Sequence, residues 1–173
     1  MEEPSLKGTL LIASPVMMDP NFAGSVVLVC VHDDEGSVGL VLDRPTELSV
    51  ADHLPAWARH ATPPRVVFLG GPVNVEMAIG VGEAHSELTG WSPVVGTTGL
   101  IDLEAAEPAD VGRLRVFAGY AGWSAGQLDA EVAALDWVVV PAHPDDPFAE
   151  DPAVIRQRAL ARKGGLYPAY DHY

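Results

Sequence analysis

An α+β fold with many short strands and few helices is what this sequence predicts, and three observations predict it. The apolar runs are short, rich in β-branched residues and bounded by turn formers. Helix-start signals are few. Strands and helices do not alternate in the regular way of a doubly wound parallel sheet.

Thr9-Leu10-Leu11-Ile12-Ala13 and Ser25 to Val31 read as buried strands. His32-Asp33-Asp34-Glu35-Gly36 then separates Val31 from Val38-Gly39-Leu40-Val41-Leu42, the composition of a hairpin loop joining an antiparallel pair. Between the first two strands, Pro15 to Phe22 carries two prolines and no period, so it is expected as a surface loop whose methionines cover a groove. Ser49 and Asp52 resemble a helix start, with Val50, Leu54 and Trp57 on one face of a helix ending before Pro63-Pro64. Val66 to Leu69 and Met77 to Val81 read as strands around the turn-rich Gly70-Gly71-Pro72. Leu114 to Ala118 and Trp137 to Val140 add two strands, with a helix between them that buries Leu128, Val132 and Leu135. Asp151-Pro152 opens a last helix with Ile155, Ala159 and Arg162 along one side, and Gly164-Gly165 ends it. Without repeats or long linkers, residues 1–163 are expected to form a single domain, and 164–173 a C-terminal tail.

Charge narrows the function classes. Ten Lys and Arg against 24 Asp and Glu give a net −14 over 173 residues, a field that repels phosphate backbones and anionic lipid heads. Direct nucleic-acid binding is therefore not expected, and the basic stretch Arg156 to Lys163 reads as a helix end whose cations suit its dipole. No apolar run approaches the ~20 residues that span a bilayer, and the acidic N-terminus lacks the form of a secretory signal, so a cytoplasmic location is expected. The lone Cys30 lies in a β-branched run as a small hydrophobe and provides neither a disulfide nor a thiolate cage.

Gly122-Trp123-Ser124-Ala125-Gly126 matches the G-x-S-x-G nucleophile elbow and lies between a strand and a helix, with Asp145, Asp146 or Asp151 and then His172 in the chain order of a hydrolase triad. The same residues read as a capping box, Ser124 to Gln127, at the start of a helix. The histidine would also sit in a terminal segment where order is uncommon. Ser124 as the nucleophile of a small serine hydrolase is the alternative function, and an N-cap is the expectation. His32-Asp33-Asp34-Glu35 and His143-Pro144-Asp145-Asp146 lack the spacing of a known metal loop, and no metal or cofactor is expected. The Gly119 to Gly126 stretch carries neither a Walker lysine nor dinucleotide spacing.

Several separated motifs resemble the AlgH/YqgE family over nearly the whole chain: Gly8 to Pro15 with Asp19 and Phe22; Gly39-Leu40-Val41-Leu42-Asp43-Arg44-Pro45; Gly70-Gly71-Pro72-Val73; and Gly119-Tyr120-Ala121-Gly122-Trp123 continuing through Gly126-Gln127-Leu128 to Glu131. The resemblance implies a mixed or antiparallel sheet, bifurcated and curled into a partial barrel with a few flanking helices, in bacterial proteins labelled either uncharacterised or transcriptional regulators and carrying no assigned reaction. It also implies asparagine at the position of Asp43 and glutamate at that of Asp129. The leading functional expectation is a non-catalytic binding or regulatory module that acts through a protein partner. Its candidate surface is Asp43, Arg44, Tyr120, Trp123, Gln127 and Glu131, where tyrosine, tryptophan and arginine are common interface anchors and Gln127 and Glu131 stand one helical turn apart. The competing reading is structural: Tyr120 and Trp123 pack a turn against the sheet, and Arg44 neutralises Glu131 or Asp129.

Overall fold

The computed structural model describes residues 5–85 and 87–172, with the side chain of His172 outside that description. Ten strands and three α-helices follow in the order β1 (Thr9–Ala13), β2 (Val26–Asp33), β3 (Gly36–Val41), β4 (Pro45–Ser49), α1 (Val50–His53), β5 (Val66–Leu69), β6 (Val73–Glu83), β7 (Trp91–Val95), β8 (Thr98–Ile101), β9 (Leu114–Ser124), α2 (Gln127–Ala133), β10 (Trp137–Pro141) and α3 (Ala153–Lys163).

The sheet runs β10-β1-β2-β3-β9-β6-β8-β7, with β5 on β9 and β4 on β5. All pairings are antiparallel except β5 with β9, which is parallel. The sheet divides at β9. Gly36 to Gly39 of β3 pair with residues 121–124 of β9, whereas Phe68 and Leu69 of β5 pair with Phe117 and Ala118 on the same edge. Gly70 and Gly71 occupy the fork, where an added Cβ would lie 2.4 Å from the Gly119 carbonyl oxygen or 2.1 Å from the Tyr120 carbonyl carbon. Only glycine permits backbones to approach this closely. The result is a mostly antiparallel α+β half-barrel with a bifurcated sheet.

Side-chain alternation along the β10-β1-β2-β3 branch produces two apolar layers. Leu10, Ile12, Leu28, Leu40, Leu42 and Val140 face α3, joined by Ile155, Ala159 and Leu160. Leu11, Ala13, Val27, Val29 and Val41 face the other way and pack with Trp123, Leu128 and Trp137. A third cluster, with Val50, Trp57, Ile101 and Val116, fills the second branch. Cys30 is 2% exposed in the first layer, and burial pushes its thiol up to about 12, so it is an unreactive core group.

Several expected elements differ. The helix after Ser49 is one turn long, because Pro55 stops it and starts a 3₁₀ turn, Pro55–Trp57; the Ser49 side chain makes no capping bond. Three strands, β4, β7 and β8, were not anticipated. Pro93 lies within β7, which tolerates it because β7 is the sheet edge, and Gly96 (φ +55°) makes its two-residue turn to β8. β9 runs six residues past Ala118, kept in the sheet by β3 and relieved by Gly119 at φ +74°. Leu135 is not buried: α2 ends at Ala133, and Leu135 turns back at φ +66°, 73% exposed. The start of α3 lies one residue later than an Asp151 N-cap would place it: Pro152 is the N-cap, and Asp151, just before it, accepts the Ala153 N–H. Residues Tyr167–His172 form a 3₁₀ helix, and Tyr167 and Tyr170 pack on the first apolar layer. Among the described residues, no helix is long and apolar enough to cross a membrane.

Candidate functional site

α2 follows β9 directly because Gly126, at φ +76°, makes the reversal without strain. This turn brings Gln127 and Glu131, one helical turn apart, over the ends of β9 and β10. The Glu131 carboxylate is the centre of the arrangement. Its Oε1 accepts the indole N–H of Trp123 (3.1 Å) and of Trp137 (3.0 Å), and its Oε2 accepts the Gln127 amide (3.0 Å). Gln127 in turn accepts the backbone N–H of Ser124 (3.0 Å) and its hydroxyl (3.2 Å). Two strands and a helix are thereby tied through one carboxylate, whose charge strengthens each bond.

Phe22 completes the aromatic wall, stacked on Trp123 at 6.0 Å and edge-on to Trp137 at 5.5 Å. The Pro15 to Phe22 loop lies opposite α2, and between them opens a groove of about 380 Å³ lined by Val16, Met17, Met18, Asp19, Phe22, Trp123, Gln127, Glu131 and Asp136. Met17 and Met18 line this groove and do not close it over. Val16 (59%) and Met18 (86%) stand exposed at its lip.

Of the six candidate residues, the structure brings Trp123, Gln127 and Glu131 together. Trp123 is not a surface anchor, being only 6% exposed and part of the second apolar layer. Tyr120 is on the opposite face, packed against the first layer, because strand residues three apart point to opposite sides. Arg44 does not pair with Glu131 or Asp129. Its guanidinium donates to the backbone carbonyls of Pro20, Asn21 and Ala23 and so fixes the loop that carries Phe22. Asp129 instead meets His32 Nε2 at 3.4 Å, and His32 Nδ1 accepts the Leu6 N–H. Phe22, Trp137, Asp19 and Asp136 were not foreseen as site residues. Trp137 was legible as a strand residue and as part of the family resemblance beyond Glu131, but not as a partner of Glu131, since that approach depends on the turn at Leu135.

Asp43 lies beneath Arg44 and accepts the Val26 N–H at 3.3 Å. Burial raises its carboxyl to about 6, against smaller opposing effects of that bond and of Arg44 and Arg156. An unfolded aspartate titrates near 4, so between about pH 4 and pH 6 the folded chain holds more protons and loses stability as pH rises. Asp43→Asn keeps the acceptor and removes the charge. It is expected to stabilise the chain by about 1–3 kcal/mol at pH 7.5 and by nothing below about pH 4. Urea denaturation of both proteins at the two pH values checks this; an equal difference at both would contradict it.

Ser124 is exposed at the end of an antiparallel strand, not on a strand-to-helix elbow of a parallel sheet, and its hydroxyl donates to Gln127. It is also not the N-cap, which is Gly126. Asp145, Asp146 and Asp151 belong to the β10–α3 segment, where Asp145 pairs with Arg113 (2.6 Å) and Asp146 with Arg162 (2.9 Å). The proposed triad histidine's side chain lies outside the described residues. Among those residues no group of three or more His, Cys, Asp or Glu is arranged to hold a metal ion. A larger hollow of about 540 Å³ lies against α3. Its two carboxylates are already paired, Asp145 with Arg113 and Asp146 with Arg162, and it holds none of the six candidate surface residues.

Fold and groove define an α+β half-barrel in which a bifurcated sheet carries an acid-centred aromatic groove at the end of β9. The chain belongs to the AlgH-like family, whose model matches residues 10–168. A UPF0301 protein of Streptomyces coelicolor is 47% identical over 95% of this chain and 90% of its own, and one of Thermobifida fusca is 43% identical over 95% and 90%. Among solved structures, a crystal structure of a Corynebacterium diphtheriae protein superposes with a TM-score of 0.89 at 29% identity, covering 99% of this chain and 94% of that one. The solution structure of the AlgH protein from Pseudomonas aeruginosa superposes with a TM-score of 0.72 at 30% identity, covering 95% and 94%.

Proposed function

We propose that this chain is a non-catalytic binding module that exerts a regulatory effect by holding a protein partner in the groove between the Pro15 to Phe22 loop and α2. The observation that carries this reading is the pairing of a rigid floor with an exposed apolar lip. Every polar group of the Gln127–Glu131 network is engaged with its neighbours, which leaves a shaped wall in place of an acid or base free to move protons. Val16 and Met18 offer adaptable apolar contact above it. Asp19, Glu131 and Asp136 make the groove acidic, which favours a protein surface over a nucleic-acid backbone. The hydrolase alternative lacks support from geometry, since the Ser124 hydroxyl is bonded to Gln127.

The test is photocross-linking inside the native cell from a benzoylphenylalanine placed at Met18, with the equally exposed Leu166 (88%) as control. A discrete adduct from position 18 that is absent from position 166 is expected.

A further inference from the structure

We propose that the C-terminal segment Tyr167–His172 is a releasable strap that governs the order of the Pro15 to Phe22 loop, so that docking of the strap and shaping of the groove form one linked equilibrium. As regulation of a binding groove, this rests on the binding-module reading above. A run of hydrogen bonds and charges joins the strap to both ends of the loop. Buried Arg156 of α3 donates from Nη2 to the Tyr170 carbonyl on the strap (3.2 Å). From Nη1 it donates to the carbonyl of Ala13 (3.0 Å), the last residue of β1 before the loop. At the other end, where the chain enters β2, the Val26 N–H is held by Asp43. Burial works against the Arg156 charge, and the carboxylates of Asp171 on the strap and of Asp43 both support it. Arg44, next to Asp43, grips the carbonyls of Pro20, Asn21 and Ala23 between those ends.

The strap has the form of a unit that comes away. Gly164 and Gly165 lie at φ +75° and +59°, and no atom stands within 4 Å of a Cβ added at either, so nothing packs on this swivel. The backbone bonds of the strap are local, from the Tyr167 N–H to Gly164 and from the Ala169 N–H to Leu166. Its longer-range ties among the described residues are the rings of Tyr167 and Tyr170 on the first apolar layer, the Lys163 ammonium 5.5 Å from the centre of the Tyr167 ring, and Arg156. Segments with so few buried ties open at low free-energy cost. Once the strap leaves, Arg156 loses the Tyr170 carbonyl and the Asp171 charge. A buried cation short of partners is costly, so the guanidinium turns toward water or toward Asp43. The first move abandons the Ala13 carbonyl, and the second competes with the Val26 N–H for its acceptor.

The experiment is amide hydrogen exchange of the full chain followed by NMR, with saturation transfer from water for the fastest amides, in two variants that act at opposite ends. Tyr167→Ala, Tyr170→Ala removes the anchors of the strap and leaves Arg156, Asp43 and the loop unaltered. Arg44→Ala cuts the loop clamp and leaves the strap unaltered. In the tyrosine variant the Ala13, Phe22 and Val26 amides, bonded to Ser25, Asp19 and Asp43, are expected to exchange about 5-fold faster or more, the lower end of coupling between sites. Linkage is reciprocal, so Arg44→Ala is expected to speed the Tyr167 and Ala169 amides of the strap. The Asp102 and Gly112 amides, bonded to Gly90 and Glu83 in the other branch, should keep the parental rate in both. Loop amides at the parental rate in the tyrosine variant, or strap amides at the parental rate in Arg44→Ala, would overturn the inference. If the tyrosine variant loses protection at Asp102 and Gly112 as well, Arg44→Ala decides alone. No partner is needed for this measurement: its failure would leave a cross-link from Met18 standing, and a failed cross-link would leave the linkage between strap and loop.

Discussion

Replacing Arg115 by leucine is expected to cost about 3–5 kcal/mol of folding stability, the largest effect of any single substitution considered for this chain. Arg115 is 2% exposed, and its guanidinium lies 4.4 Å from the centre of the Phe68 ring. It donates to the carbonyls of Thr62, Pro64, Pro147 and Ala149. Burial pulls it down to about 10, partly offset by Glu150, so it stays charged at neutral pH. Removing it relieves that desolvation, which works in the variant's favour. The opposing loss is larger. Pro64 retains the Val66 N–H as a donor, but Thr62, Pro147 and Ala149 lose theirs, and each orphaned group costs about 1–3 kcal/mol. The β10–α3 segment and the 62–64 turn also lose their common tie to β9. Arg115→Lys is expected to recover less than half, because one ammonium cannot reproduce the planar fork. Urea denaturation measures both, and a leucine variant within about 1 kcal/mol of the parent would show that the carbonyls find other donors.

Glu131→Ala is expected to be the second largest, about 2–4 kcal/mol. The substitution strands two indole N–H groups on tryptophans that are 6% and 2% exposed, and frees Gln127 from its partner. Glu131→Gln preserves one acceptor oxygen and loses the charge, so an intermediate cost is expected. The signature that separates this account from loss of helix packing is spectroscopic: the Trp123 and Trp137 indole proton resonances should both move upfield in the alanine variant, while that of Trp57 does not. Unchanged indole resonances would mean that Glu131 is not their acceptor.

Strands whose two faces are both buried were legible because they read as unbroken apolar runs, Leu10 to Ala13 and Val26 to Cys30 among them. Those that were missed lack that signal. β4 is largely exposed through Thr46-Glu47-Leu48, and β7 carries a proline that only an edge strand accepts. The extension of β9 through Gly119-Tyr120-Ala121-Gly122 has the composition of a turn; pairing with β3, distant in sequence, makes it a strand. That omission also misplaced Tyr120, since alternation along a strand would have separated it from Trp123. The Gln127 and Glu131 pair was legible from helical spacing alone. Its indole partner Trp137, and the loop that brings Phe22 across, depend on tertiary closure that no local pattern encodes.

The central claim is that the groove beside Glu131 is a protein-binding surface, and the most direct measurement is the photocross-link from position 18. The account predicts one discrete adduct in the native cell, identified by mass spectrometry, absent when the probe is at position 166 and diminished when Asp19 and Asp136 are both made asparagine. A probe at position 18 that captures nothing, or captures the same proteins as the probe at 166, would contradict it.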